Sequence, residues 1–148
     1  MDRIAVGVDW TDNSRAALSW AIDEARARGA AVDAILVWHQ PVYGGIYGVP
    51  LPPAGPEVEE SYRTQLATLV EQVDSDGLGS PVGQLLRQGS ASRELLAEAE
   101  HADLLVVGSR GHGGFLGLLL GSVSHQVAVH APCPVVIVPA PVRRTVDE

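Results

Sequence analysis

The sequence predicts one open α/β sheet of five parallel strands, doubly wound with helices on both faces. Short apolar segments of strand length alternate with segments in which apolar residues recur at helical spacing. The first 38 residues form a β-α-β pattern, which normally gives parallel strands joined by a right-handed crossover. A length of 148 residues suits one domain with a proper core but not two. We therefore expect a single domain over residues 1–142 and a polar tail over residues 143–148.

The chain opens with the first predicted strand and helix. Residues 4–9 are predicted to form a buried strand that ends in an acid, and residues 11–14 supply helix-capping side chains. The helix is predicted to stop at Gly29, a residue type favoured just beyond a helix end. Residues 31–38 then form the second apolar strand. The core-facing positions of the helix are Leu18, Ala21, Ile22 and Ala25.

A segment rich in proline and glycine, residues 41–56, interrupts the alternation and carries Tyr43 and Tyr47. Loops of this length in compact domains are lids, contact surfaces or disordered, and the sequence leaves these alternatives open. Residues 57–74 are predicted to form a helix with one apolar stripe that faces the core. The stripe consists of Val58, Tyr62, Leu66, Leu69 and Val73.

The second half of the chain resumes the same alternation. Residues 81–87 are predicted as a third strand, at an edge because a proline opens it, and residues 89–92 turn into a short helix. Residues 103–107 form the fourth strand, residues 122–130 the last helix and residues 134–138 the fifth strand. Five strands that alternate with four helices predict a doubly wound sheet, in which ligands bind beyond the carboxyl ends of the strands.

Composition excludes several functional classes. The formal net charge is −8, and all ten basic residues are arginine. A P-loop requires a lysine that reaches the phosphates, so that route to nucleotide binding is closed, as is Schiff-base chemistry. No basic cluster indicates a nucleic-acid surface. Cys133 is the one cysteine, which excludes a disulfide framework.

The apolar runs are far shorter than a membrane helix, and the N-terminus has no signal-peptide pattern. We therefore expect a cytoplasmic protein that does not associate with a membrane.

The most informative motif is a glycine-rich turn after the fourth strand. It reads G-x2-G-x9-G-S, from Gly108 and Gly111 to Gly121 and Ser122. Glycines let the backbone approach an anion, and a helix start offers free N–H groups and a partial positive charge. The alternative is a surface loop with an N-capping serine, in which case Asp9 merely caps the first helix. Since Asp9 ends the first strand near this turn, a phosphate site is favoured.

Other sites match less well. The turn lacks the G-x-G-x-x-G spacing of dinucleotide-binding proteins, and no G-x-S-x-G elbow of a hydrolase occurs. His125 and His130 are five residues apart and do not share a helix face, so metal ligation by them is not expected.

Four segments resemble universal stress proteins, and specifically their ATP-binding branch. They are residues 4–9 followed by Ser14, residues 102–113, residues 120–124 and residues 132–138. The resemblance extends from residue 3 to about residue 139. It implies a Rossmann-like sheet of the adenine nucleotide alpha hydrolase type, with strand order 3-2-1-4-5. It also implies that residues 1–142 are one universal stress protein domain.

The resemblance also implies a nucleotide site. The adenine would lie against Gly7, Val8 and Val37. Asp9 would approach the ribose or a phosphate-bound Mg²⁺ or Mn²⁺, and Val107 and Gly108 would flank the ribose. The phosphates would contact Ser109, Arg110, Gly111, Gly121, Ser122, Val123 and Ser124. No direct protein site for a metal is expected apart from Asp9.

By this resemblance the chain is a nucleotide-dependent sensor or regulator in the stress response, with ATP as its ligand. No catalytic residue is identified, and at most slow ATP hydrolysis is expected. The family also implies a homodimer formed through the last strand, at Val135, Val136, Ile137 and Val138. Three alternatives stay open: a dimeric interaction module with little or no nucleotide binding, slow ATPase or autophosphorylating activity on Ser109, Ser122 or Ser124, and a cyclic nucleotide as the preferred ligand.

Overall fold

Five parallel strands form one sheet in the order β3-β2-β1-β4-β5 in a computed structural model, which describes residues 1–39, 55–77, 81–110 and 120–140. The strands are β1 (Arg3–Val8), β2 (Ala31–Trp38), β3 (Gly83–Gln88), β4 (Leu104–Gly108) and β5 (Val135–Val138). The helices are α1 (Asp12–Arg28), α2 (Pro56–Val73), α3 (Ala91–Ala99) and α4 (Ser122–His130). The predicted elements, their parallel pairing and their order are confirmed.

Helices cover both faces of the sheet. Ile4 and Val6 of β1 face a core formed with α1 and α2, whereas Ala5 between them faces a second core formed with α3 and α4. This alternation is the normal result of a pleated strand. Leu18 of α1 and Val127 of α4 are completely buried on their respective sides. The doubly wound architecture predicted from the sequence is therefore confirmed.

Helix α1 has a well-defined start and end. The Thr11 hydroxyl accepts a hydrogen bond from the Ser14 N–H at 3.2 Å, which is the usual N-cap arrangement. Gly29 closes the helix with a φ of 68°, a left-handed conformation that glycine adopts without strain. The predicted stop at Gly29 is confirmed.

Two expectations for α2 were wrong. Pro56, assigned to the preceding loop, is the first residue of the helix, where its missing N–H has no intrahelical partner to lose. Val58 is 40% exposed, because the buried face of α2 begins further along the helix, at Leu66. Val70 is buried in the core together with Leu66 and Leu69. The remainder of the predicted loop, residues 41–54 with Tyr43 and Tyr47, lies outside the described residues.

The topology creates a crevice between β1 and β4. From β1 the chain proceeds to β2 and β3 on one side of the sheet, whereas β4 leads to β5 on the other. This reversal is the topological switch point at which open α/β sheets bind ligands. Among the helices that the structure describes, none has the length and apolar character required to cross a membrane.

Candidate functional site

A cavity of about 680 Å³ opens at the carboxyl ends of β1, β2 and β4. Its wall is completed by the first turns of α3 and α4 and by Tyr62 of α2. Eleven of the thirteen residues predicted to hold a ligand line this cavity. They are Gly7, Val8, Asp9, Val37, Val107, Gly108, Arg110, Gly121, Ser122, Val123 and Ser124.

Two predicted site residues are not part of this lining. Ser109 is buried behind the cavity wall, where its hydroxyl donates to the Asn13 side-chain oxygen at 3.3 Å. Gly111 lies outside the described residues. The structure therefore brings together both ends of the glycine motif, with Ser109 as support for the wall.

One end of the cavity is apolar. Gly7, Val37, Val107 and Leu95 line it, and Leu95 reaches it from α3. A Cβ atom on Gly7 would lie 2.7 Å from the Leu95 Cδ1 atom and 3.3 Å from Val107 Cγ1. Glycine at this position therefore makes room for Leu95 beside the strand. The resulting surface suits a flat apolar group such as an aromatic base.

The other end of the cavity is the N-terminus of α4. Gly121 is the N-cap residue and has no side chain with which to cap the helix. The amides of Ser122, Val123 and Ser124 belong to the first turn, whose N–H groups have no acceptor within a helix. Ser122 is exposed. These features give this end of the cavity donors and a partial positive charge.

The glycine turn itself is held by internal hydrogen bonds. The Ser109 N–H donates to the Val138 carbonyl at 2.8 Å, and the Arg110 N–H donates to Asn13 Oδ1 at 2.7 Å. The Gly121 N–H donates to the Ser109 carbonyl at 2.7 Å. The glycine motif predicts that the backbone amides of this turn face an anion. In the structure these three amides bind protein acceptors, and the first turn of α4 supplies the donors that face the cavity.

Asp9 lines the cavity and also supports the residue that caps α1. Its Oδ1 atom accepts from the Thr11 N–H at 2.8 Å and from the Thr11 hydroxyl at 2.6 Å, which fixes the entry to α1. Its own N–H donates to the Ser14 hydroxyl at 2.7 Å. The residue nevertheless lines the cavity. Asp9 therefore holds the N-cap residue Thr11 in place but does not cap the helix itself.

The described residues contain no group of three or more histidine, cysteine, aspartate or glutamate side chains suited to a metal ion. A divalent cation at this site would therefore rely on oxygens of the ligand, with Asp9 as the nearby carboxylate. Mg²⁺ is commonly bound in this way, by one or two carboxylates together with substrate phosphates.

Aromatic side chains form a wall that sequence reasoning missed. Trp38 and Tyr62 stack with ring centroids 5.4 Å apart, and Trp10 and His39 also line the cavity. The sequence predicts Trp38 in a buried strand and Tyr62 in a core stripe, and neither is predicted to line a ligand site. Trp38 is the last residue of β2, and Tyr62 lies within α2. Only the three-dimensional arrangement brings both residues to the cavity.

Comparisons with known proteins bear on the family and the fold of this chain. The model of the universal stress protein family matches residues 1–139. A universal stress protein of Mycolicibacterium smegmatis is 39% identical over 138 residues, which cover 91% of this chain and 45% of that protein. The chain thus spans less than half the length of this relative.

Solved structures show the same fold. The universal stress protein UspA from Lactobacillus plantarum has a TM-score of 0.75 at 21% identity, with 93% of this chain and 97% of that chain covered. A universal stress protein in complex with cAMP has a TM-score of 0.70 at 25% identity, with 95% and 98% covered.

Proposed function

We propose that this chain, which belongs to the universal stress protein family, binds an adenine nucleotide in the cavity between β1 and β4. The observation that carries the proposal is the uncapped N-terminus of α4 at one end of a cavity whose other end is apolar. A nucleotide has the matching division, with an aromatic base at one end and phosphates at the other.

The apolar end supports the placement of the base. Gly7, Val37, Leu95 and Val107 offer a surface without a charged side chain. A solved universal stress protein of the same fold binds cAMP, which favours adenine as the base. Cyclic AMP therefore stays a candidate ligand beside ATP.

The polar end supports the placement of the phosphates. The first-turn amides of α4 and the Ser122 hydroxyl are donors, and Arg110 brings a positive charge to the same cavity. Because the protein has a net charge of −8, a polyanion needs such a local group in order to bind. We propose ATP with Mg²⁺ or Mn²⁺ as the ligand, with Asp9 near the ion.

We further propose a regulatory role in the cytoplasm, with nucleotide occupancy as the signal and residues 1–142 as the functional domain. Among the described serines of the motif, Ser109 and Ser124 are buried. Ser122, which is exposed, would be the acceptor in a slow autophosphorylation.

A matched pair of variants at Ser122 tests the site. Ser122→Asp places a carboxylate among the phosphate donors, whereas Ser122→Asn is neutral and of similar size. We expect Ser122→Asp to weaken Mg-ATP binding by more than about tenfold, because like charges that meet at an interface cost several kcal/mol. We expect Ser122→Asn to remain within about threefold of the wild type, since a neutral side chain leaves the amides available. Isothermal titration calorimetry with ATP, cAMP and adenosine measures these affinities.

Adenosine is the control ligand because it lacks phosphates. Its affinity should be equal in both variants, and the folding of Ser122→Asp should be intact, since an acid in the first helical turn is favourable. Equal loss of ATP binding in both variants, or none in either, would contradict the placement of the phosphates. Absence of binding to the wild type at millimolar nucleotide would refute the proposed function.

A second candidate function is a dimeric interaction module. Strand β5 pairs only with β4 in the described part of the sheet, and its four apolar residues are half-buried. An apolar edge of this kind favours pairing with a second copy. A protein that is dimeric but indifferent to every nucleotide would support this function in place of the first.

A further inference from the structure

Asn13 makes three hydrogen bonds that join separate parts of the chain. Its Oδ1 atom accepts from the Arg110 N–H at 2.7 Å and from the Ser109 hydroxyl at 3.3 Å. Its Nδ2 atom donates to the Val138 carbonyl at 2.9 Å. The residue is only 5% exposed although it lies in the first turn of α1. A single carboxamide thus connects α1, the residues that follow β4 and the end of β5.

Helix α1 itself does not require this side chain. Thr11 provides the N-cap, and the Ser14 hydroxyl accepts the Asp9 N–H. The Asn13 side chain, in contrast, requires a residue without a side chain at position 108. A Cβ atom at position 108 would lie 2.8 Å from both Cγ and Oδ1 of Asn13. The absence of a side chain at Gly108 therefore admits the carboxamide to the turn.

The influence of Asn13 reaches α4 through Ser109. The Ser109 carbonyl accepts from the Gly121 N–H at 2.7 Å and from the Ser124 hydroxyl at 3.0 Å. Gly121 is the N-cap of α4, so these bonds fix the position of its first turn relative to β4. A group that holds Ser109 in place consequently holds the donors at the polar end of the cavity.

We propose that Asn13 is a positioning residue of the nucleotide site, which fixes Ser109 and Arg110 and, through the Ser109 carbonyl, the phosphate-binding N-terminus of α4. This role rests on the proposed nucleotide function. It requires both properties of a carboxamide, an acceptor toward Ser109 and Arg110 and a donor toward Val138. An aspartate lacks the donor and a leucine lacks both.

The test is Asn13→Leu, which keeps the approximate volume of the side chain and removes all three hydrogen bonds. We expect the affinity for Mg-ATP to fall about tenfold, because buried polar groups that lose a partner no longer fix the loop. The affinity for adenosine should stay within about twofold, since Asn13 does not line the apolar end. A merely structural defect would lower both affinities together. Arg15→Leu, in the same helical turn but outside this cavity, is the matched control and should leave both unchanged.

The outcomes separate the two proposals. Failure of the wild type to bind any nucleotide refutes the proposed function and the Asn13 role with it. Binding by the wild type, together with equal or no losses for ATP and adenosine in Asn13→Leu, overturns only the role of Asn13.

If Asn13→Leu does not fold, Gly108→Ala provides a second test. It displaces the carboxamide by steric contact and leaves the hydrogen-bonding groups in the sequence. Because Gly108 itself lines the cavity, the readout of this variant is the exchange of the amide that Asn13 holds, and not nucleotide affinity. Amide hydrogen exchange of Arg110, followed by NMR without nucleotide, should accelerate in this variant. Unchanged exchange would likewise count against the proposal.

Discussion

The Asn13 side chain lies in the space that a side chain at Gly108 would occupy. A glycine can therefore be required by a neighbouring side chain as well as by a ligand. The glycine motif suggested that Gly108 permits close approach of an anion. In the structure the space where its side chain would lie is filled by the Asn13 carboxamide, 2.8 Å from the position of a Cβ atom. Gly7 is similar, since Leu95 fills the corresponding space there. At both positions a neighbouring side chain accounts for the glycine.

Gly108→Ala should destabilise the fold by about 1–3 kcal/mol, the usual cost of overpacking a well-filled site. The loss should be smaller in an Asn13→Ala background, because the clashing side chain is then absent. Urea unfolding of the four proteins in this double-mutant cycle gives the coupling free energy. Equal losses in the two backgrounds would mean that Asn13 does not determine the residue at position 108.

Among the elements, β1, β2, β3 and α3 are joined by an ionic network that begins at the N-terminal end of β1. Arg3 Nε lies 2.6 Å from Asp33 Oδ2, and Arg3 Nη2 lies 3.0 Å from Glu98 Oε2. Arg87 Nε lies 2.9 Å from the other Glu98 oxygen. Burial alone would raise the pKa of Glu98, but hydrogen bonds from Arg3 and Arg87 outweigh it and lower the pKa overall. The network fastens α3, whose first turn borders the cavity.

Glu98→Gln should lower the free energy of unfolding by about 1–2 kcal/mol at pH 7, since it removes charge-assisted hydrogen bonds that are partly buried. Because the folded pKa of Glu98 is depressed, its contribution is present above the ordinary value of 4.5 and is lost as the pH falls through the folded pKa. The difference between wild type and variant should therefore shrink on acidification. Urea unfolding at neutral and acidic pH measures it.

The control for this prediction is Glu59→Gln, which breaks an exposed ion pair with Arg63. Its effect should be below about 0.5 kcal/mol, as for other exposed pairs within one helix. An effect of Glu98→Gln that does not depend on pH would indicate lost packing and not lost charge.

Local patterns predicted the elements well and the contacts between them poorly. Alternating apolar segments and glycine or proline boundaries identified the nine elements of the described residues, because those signals lie within a few residues of one another. The predicted core stripe of α2 is wrong at Val58, since helical spacing does not reveal which turns of a helix are buried. Strand β1 ends one residue early because the Asp9 N–H binds the Ser14 hydroxyl.

The candidate site shows the same division. Motif residues such as Asp9 and Ser122 could be identified because their chemistry and spacing are visible in the sequence. Asn13 could not, because its partner Val138 is 125 positions away in the chain. Trp38 and Tyr62 resemble ordinary core residues in sequence, and only the fold brings them to the cavity.

For the molecule as a whole, the described sheet ends at β3 on one side and β5 on the other. The Leu105 and Ser109 N–H groups donate to the carbonyls of Pro134 and Val138. In a parallel ladder this pattern directs the N–H groups of Val135 and Ile137 away from β4. That outer edge is the surface through which we propose that two copies pair.

Ile137→Pro tests this pairing, because proline removes a donor that the ladder to β4 does not use. We expect the variant to be monomeric in sedimentation equilibrium, whereas Ile137→Ala, which also loses packing but keeps the N–H group, should remain dimeric. A monomeric wild type, or a dimeric Ile137→Pro protein, would contradict an interface at β5.

In the proposed complex, a nucleotide spans the cavity from the apolar ends of β1 and β2 to the first turn of α4. Titration of ¹⁵N-labelled protein with Mg-ATP, followed by amide chemical shifts, tests it most directly. Saturable shifts are predicted at Gly7, Val37, Ser122 and Val123, which lie at the two ends of the cavity. Shifts confined to another surface, or none at millimolar ATP, would contradict this placement of the nucleotide.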